Sequence, residues 1–339
     1  MCIRDSPYRN PVIGWKSDME KYATRDAVAF HKKYYNPTNA VCVLVGDVTL
    51  EKARKLAKTY FGRYPSGRRA PETVTREPVQ RGPRKSIRYL NGARTPLVRV
   101  GFHGARMGTD DFYALDAMTM ILSHGRSSRM NQNIVYKGLA QSAWAYNPDN
   151  RYAGMIILGG TPNEPQLAGQ QGGGDGEKRQ AYLRACQELE ELLLAQFEKM
   201  KTELVDPREL QRIKKLNQRD FIDRMRSNEG LAGTLATLEV QFGWEYLKHY
   251  LENLDKVTPE DILAAAKKFV TADNRTSVYV IPGGRTEQPP DEYSEVRSVT
   301  GSAAAEANLS HGGNNISSYP SPAEWKHPLS FHREPQKIN

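Results

Sequence analysis

From Glu177 to Val270 the chain is written almost wholly in helical period, while its strand-like runs fall before and after that block. Such segregation constrains the fold more than any single motif, because strands and helices that do not alternate cannot build a doubly wound parallel sheet. The helical block holds EKRQAYLRACQELEELLLAQFEKMKTEL, then RELQRIKKLNQRDFIDRM entered through Asp206-Pro207, then LAGTLATLEVQFGWEYLKHYLENL, then PEDILAAAKKFV entered through Thr258-Pro259. Before it stand SIRYLN and LVRVGFHG, the helical stretch opened by Asp110 and Asp111, and QSAWAYNP and AGMIILGGTP joined by a turn through Pro148, Asp149 and Asn150. After it comes RTSVYVIPG. The expected architecture is α+β, an antiparallel-leaning sheet flanked by segregated helices.

Upstream of this unit the pattern is helix, strand, helix. Thr24 is expected to cap a helix through Ala27, Phe30, His31 and Tyr34 that ends at Asn36-Pro37. The run AVCVLVG, Ala40 to Gly46, reads as a buried strand with Cys42 in the core. Thr49 then caps a helix whose Ala53, Leu56, Ala57 and Phe61 share one face, closed by Gly62. Tyr34 and Tyr35 are expected as the packed edge of a core. The segment 65–86, rich in Pro and Arg, reads as a linker, and the glycine-rich run AGQQGGGDG after Leu167 as a flexible loop.

A formal charge of +9 and a pI near 9.3 permit attraction to nucleic acid, anionic lipid or acidic peptide. Much of the excess lies in and beside the linker, as Arg63, Arg68, Arg69, Arg76, Arg81, Arg84, Lys85 and Arg88, without the interleaved aromatics that stack bases. A nucleic-acid partner is therefore not expected. Three scattered cysteines give no disulfide framework, and no apolar run is long enough to span a bilayer.

Neither HExxH nor HxxEH occurs, and none of the seven histidines is paired at helical spacing, so no metal ligand and no catalytic residue is assigned in this chain. The segment His124-Gly125-Arg126-Ser127-Ser128-Arg129 places two serines at a helix start, where hydroxyls and free N–H groups can hold a carboxylate or phosphate. Arg126, Ser127, Ser128 and Arg129 are accordingly the candidate substrate-binding residues, against the plainer reading of ordinary capping beside two surface arginines. Trp144, Tyr146 and Tyr152 read either as an aromatic wall for an extended peptide or as cross-strand pairs that stabilise the sheet.

The order of these pieces carries a resemblance. PYRNPVIG, then a helix, YYNPTNAVCVLVGDVT and a helix ending in YFG resemble the end of the zinc domain of pitrilysin/insulinase-type metallopeptidases. TPLVRVGFHG, DDFYALDAMTMILSHGRSSRM and KGLAQSAWAY resemble the domain that follows it, and the likeness runs from Pro7 to Gly284.

What the resemblance implies is a zinc endopeptidase of two related halves, each of two α+β metallohydrolase-like domains, closing like a clamshell around a peptide. Its ligands, two histidines of HxxEH and a later glutamate, have no counterpart here, so zinc is expected only in the intact protein. An Arg and Tyr seven residues apart, which the family carries after the SSR-like turn of its second half, are replaced by Ile134 and Gln141. The expected organisation is 7–64 as the end of the zinc domain, 65–86 as linker, 87–284 as the second peptidase domain and 285–339 as a linker toward a second half.

On this reading the piece forms part of the substrate-chamber wall and is inactive alone, its partners being peptide, the zinc domain and a homologous half or subunit. A non-catalytic scaffold of the same family is the alternative, and a basic nucleic-acid binder a third. The opening MCIRDS matches nothing in the family pattern, and with the N-terminus read as missing the compartment is left open.

Overall fold

The computed structural model describes residues 5–70, 75–164 and 175–283. The glycine-rich run up to residue 174, the segment 285–339 and the first four residues lie outside them. Two short helices, α1 (Lys16–Met19) and α2 (Thr24–Tyr34), precede α3 (Leu50–Phe61). Strands β1 (Arg84–Leu90) and β2 (Leu97–His103) lead to α4 (Asp110–Ser123). A π-helical turn, Asn131–Val135, precedes the hairpin β3 (Ala140–Tyr146) and β4 (Met155–Pro162). The helical block follows as α5 (Asp175–Thr202), α6 (Pro207–Met225), α7 (Asn228–Gln241), α8 (Tyr246–Lys256) and α9 (Pro259–Phe269), and β5 (Arg275–Pro282) closes the unit.

The five strands form one sheet in the order β1-β5-β2-β4-β3. Every pairing is antiparallel except β1 with β5, so the last strand of the sequence enters the sheet between the first two. Asn274 fixes that insertion: its side chain accepts from the His103 amide at 3.2 Å and donates to the His103 and Phe269 carbonyls at 3.0 and 2.7 Å. Gln80 holds the other edge, donating to the Arg275 carbonyl at 2.8 Å and accepting from Thr276 Oγ1 at 3.2 Å.

Strand alternation sends Val98, Val100, Phe102, Ile156, Leu158, Tyr279 and Ile281 to one face, where all are buried. Helix α5 lies on that face because Cys186, Leu189, Leu193, Phe197 and Met200 recur at three- and four-residue spacing. Phe197 stacks on Phe102 with ring centroids 6.2 Å apart. Helix α4 buries residues around most of its circumference, since α6, α8 and α9 pack on it beside β3. Its start is capped by Thr109, which accepts from the Phe112 amide, and α9 has a full capping box of Thr258 and Asp261.

Five expectations need correction. Ala40–Val45 forms no strand: Cys42 is exposed and Leu44 is 50% exposed, because β-propensity yields a buried strand only where a neighbouring strand and a covering layer meet it, and no described element does so. Tyr35, expected at a core edge, is 68% exposed and stacks on His31 at 5.1 Å. The run from Leu231 to Leu254 is two helices, broken where Gly243 takes a φ of +94°. The run after Ser127 gives only a short π-helical turn ending before Gly138 (φ +67°), which turns the chain into β3. The α2 cap is displaced by one residue, the Asp26 carboxylate accepting from the Ala23 amide at 3.1 Å.

Candidate functional site

The turn after α4 distributes its four expected binding residues among different tasks. Gly125, at φ +80°, reverses the chain, and the Ser128 amide donates to its carbonyl at 3.2 Å. Arg126 is exposed. The Ser127 hydroxyl accepts from Arg212 Nη1 on α6 at 2.7 Å. Ser128 is fully buried and its hydroxyl has no hydrogen-bond partner. Arg129 is engaged with Glu209 through Nε at 3.1 Å and Nη2 at 2.7 Å, while Nη1 meets the Met200 sulfur. This forked ion pair, largely shielded from solvent, ties the π-helical turn to α6. His124 adds a second tie to α6 through Asp220, 3.3 Å away.

The sheet face opposite the core forms a second surface. No helix among the described residues packs against it. Register and alternation assign to it Ser86 and Arg88 of β1, Thr276, Val278 and Val280 of β5, Leu97, Arg99 and Gly101 of β2, Ile157 and Gly159 of β4, and Trp144 and Tyr146 of β3. None of these is acidic. One row across the sheet runs Ser86, Val278, Arg99, Gly159, Trp144.

Within that row the Arg99 guanidinium sits 4.3 Å from the Trp144 ring centroid. Gly159 lies between them, and a Cβ there would collide with both the guanidinium and the ring. Arg99 Nη1 is shut off from solvent without an acceptor, and burial holds the guanidinium pKa below its ordinary value. Tyr146 projects from the same face, 55% exposed. Tyr152 belongs elsewhere: its amide donates to the Tyr8 hydroxyl at 3.0 Å, with the two rings 6.4 Å apart.

Two polar networks on the helical side escaped the sequence reasoning. Glu190 of α5 accepts from Ser277 Oγ, Tyr279 Oη and Lys85 Nζ. Burial pushes its carboxyl up, but these three donors outweigh it and the pKa lies below the usual carboxylate value. Between α4, α6 and α8, Tyr113 bonds Tyr246, and Asn217 bonds Tyr250. Burial, reinforced by Asp149 and opposed by Arg224, pushes the nearby Asp116 carboxyl up to about 7. The four-residue spacing of Tyr246 and Tyr250 signals only a shared helix face, and nothing in the sequence pairs either with α4.

Among the described residues no three His, Cys, Asp or Glu side chains come together as a metal group. His31 lies against Tyr35, His124 against Asp220 and His249 against Glu252. A hydrolytic zinc does not fit these positions.

A family model described as the peptidase M16 inactive domain matches residues 24–217. Over 281 residues the chain is 27% identical to the zinc protease PqqE of Helicobacter pylori, covering 81% of this chain and 59% of that protein. It thus spans less than two thirds of that curated relative. A solved protease from Helicobacter pylori superposes with a TM-score of 0.73 at 25% identity, over 83% of this chain and 64% of the other. The peptidase M16 inactive domain from Pseudomonas fluorescens matches with a TM-score of 0.67 at 17% identity, over 85% and 64% of the two chains, a likeness of fold.

Proposed function

This chain belongs to the peptidase M16 inactive domain family, and from that premise we propose that its sheet domain walls the substrate chamber of a zinc metalloendopeptidase whose metal is held by residues outside those described here. The observation that carries the reading is the sheet face without a helix. A face on which Tyr146 is exposed beside the half-buried Trp144, Ile157 and Val278 is unusual for an isolated domain, and it suits contact with an extended peptide. Zinc, where held, would lower the pKa of its bound water and polarise the scissile carbonyl. The residues here would supply shape and grip.

Two further parts belong to the same reading. Helices α2 and α3 bury none of their residues, and Phe30, Leu56 and Phe61 are exposed, which supports taking 7–64 as the end of a zinc domain whose other elements would cover those side chains. The turn after α4 offers Arg126 to substrate, with Ser127 and Arg129 holding it against α6 and Ser128 seated beneath. A homologous half or subunit would close the chamber from the other side.

The test is made on the full-length gene product. Zinc content, chelator-sensitive cleavage of a quenched peptide, and capture of that peptide by a photoreactive residue replacing Tyr146 are the expected results. Cleavage without capture would remove this face from the chamber. A protein with no HxxEH and no bound zinc would instead be the family's non-catalytic scaffold.

A further inference from the structure

We propose that the face around Arg99 and Trp144 is a subsite for the carboxylate of an Asp or Glu side chain in an extended peptide. The inference rests on the chamber-wall reading for its setting, but its chemistry comes from the face itself.

The guanidinium is placed before any ligand arrives. It lies along the Trp144 ring at 4.3 Å, and Gly159 beneath admits no side chain that would lift either group. A guanidinium fixed in plane loses little rotamer freedom when it takes up a carboxylate in forked geometry. It also lacks what such a group normally has. Arg99 Nη1, wedged over Gly159, is desolvated and donates to nothing, which leaves the rest of the guanidinium as the part a ligand would meet, and none of the described residues sharing the face is acidic, so those residues supply no counter-charge. Arg129 shows the contrast: its guanidinium is already matched by Glu209.

The neighbours set the occupant. The chain carries +9, so charge complementarity favours an anionic segment. Leu97, Val278, Ile157 and Tyr146 surround the cation with apolar and aromatic surface, which suits the aliphatic stem of Glu and apolar residues beside it. Strand geometry sends alternate side chains of an extended peptide to one side, so one acidic residue can meet Arg99 while its second neighbours lie on the apolar flank.

The experiment measures binding of the full 339-residue chain to a fluorescent peptide blocked at both ends, with one central Glu among apolar residues, against the same peptide carrying Gln. The expected result is about tenfold tighter binding of the Glu peptide, the scale of one charge-assisted hydrogen-bond pair. In Arg99→Gln that preference disappears, and in Arg99→Lys part of it remains. Equal binding of the two peptides by the unaltered chain overturns the subsite whether or not the variants fold. So does a preference that survives in Arg99→Gln, or one that appears only when the peptide's C-terminal carboxylate is free. Photocapture at Tyr146 in the intact protein separates the two levels. Peptide captured without acidic preference overturns the subsite alone, whereas no capture of any peptide overturns the chamber wall.

Discussion

Arg99 and Trp144 stack across a strand that separates them at a distance of 4.3 Å, and Gly159 on that intervening strand is the reason they can. The two residues are 45 positions apart in sequence, and each sits opposite Gly159 in its own ladder. Gly159→Ala would drive a methyl into both groups and toward the Val98 carbonyl. We expect a loss of about 1–3 kcal/mol, the usual range for overpacking. Chemical denaturation checks the stability, and the Trp144 contribution to fluorescence should shift with it.

Glu190 joins α5 to β1 and β5 through Lys85, Ser277 and Tyr279. Glu190→Ala strands those donors, two of them on buried residues, and should cost about 1–3 kcal/mol or more by urea unfolding. Because the folded carboxyl has its pKa held below the ordinary value of 4.5, its stabilisation is present above that value and is lost as the pH falls beneath it. A Glu190→Gln chain should therefore lose stability less steeply under acid than the parent.

Asp116 has the opposite sign. The folded chain holds its proton up to about pH 7, whereas the unfolded chain releases it near 3.8. Between those values the folded state binds the extra proton, so stability declines as the pH rises through the window and levels off above it. Asp116→Asn should flatten this dependence and raise the melting temperature at pH 8, by roughly 2–4 °C for each kcal/mol gained. Thermal melts from pH 4 to pH 8 decide; a parallel decline in both proteins would refute the assignment.

Arg129 and Arg126 are three positions apart and should differ sharply. Arg129→Met leaves Glu209 without its forked partner in a largely shielded site, and we expect a loss of about 1–3 kcal/mol. Arg126→Ala, on the exposed side of the same turn, should stay within about 0.5 kcal/mol. Peptide affinity measured on both variants then tests the grip proposed for Arg126, since its loss would weaken binding without weakening the fold.

Much of the architecture was legible because it is written locally. LVRVGFHG alternates in part and became β2, Asp206-Pro207 and Thr258-Pro259 opened α6 and α9, and Pro148 to Asn150 turned the β3–β4 hairpin. The candidate site was legible only in part. SSR announced a turn, yet its spacing carries no record that Arg129 would meet Glu209 or that Arg212 would reach Ser127, partners 80 and 85 residues away. Trp144 was visible as an aromatic on a strand, while Arg99 read as one more polar position in an alternating run.

The sequence by itself determined most of the helices and strands of the sheet domain and which face of each is apolar, because period, capping and turn chemistry act within a few residues. It also excluded a local HxxEH centre. Only the tertiary structure decided that β5 enters between β1 and β2, that AVCVLVG forms no strand, and that Arg99 comes to lie on Trp144 over Gly159. These are consequences of long-range register and of which surfaces find a covering layer. Neither leaves a periodic trace in the chain, because each depends on residues that approach only once the sheet has closed against α5 and α4.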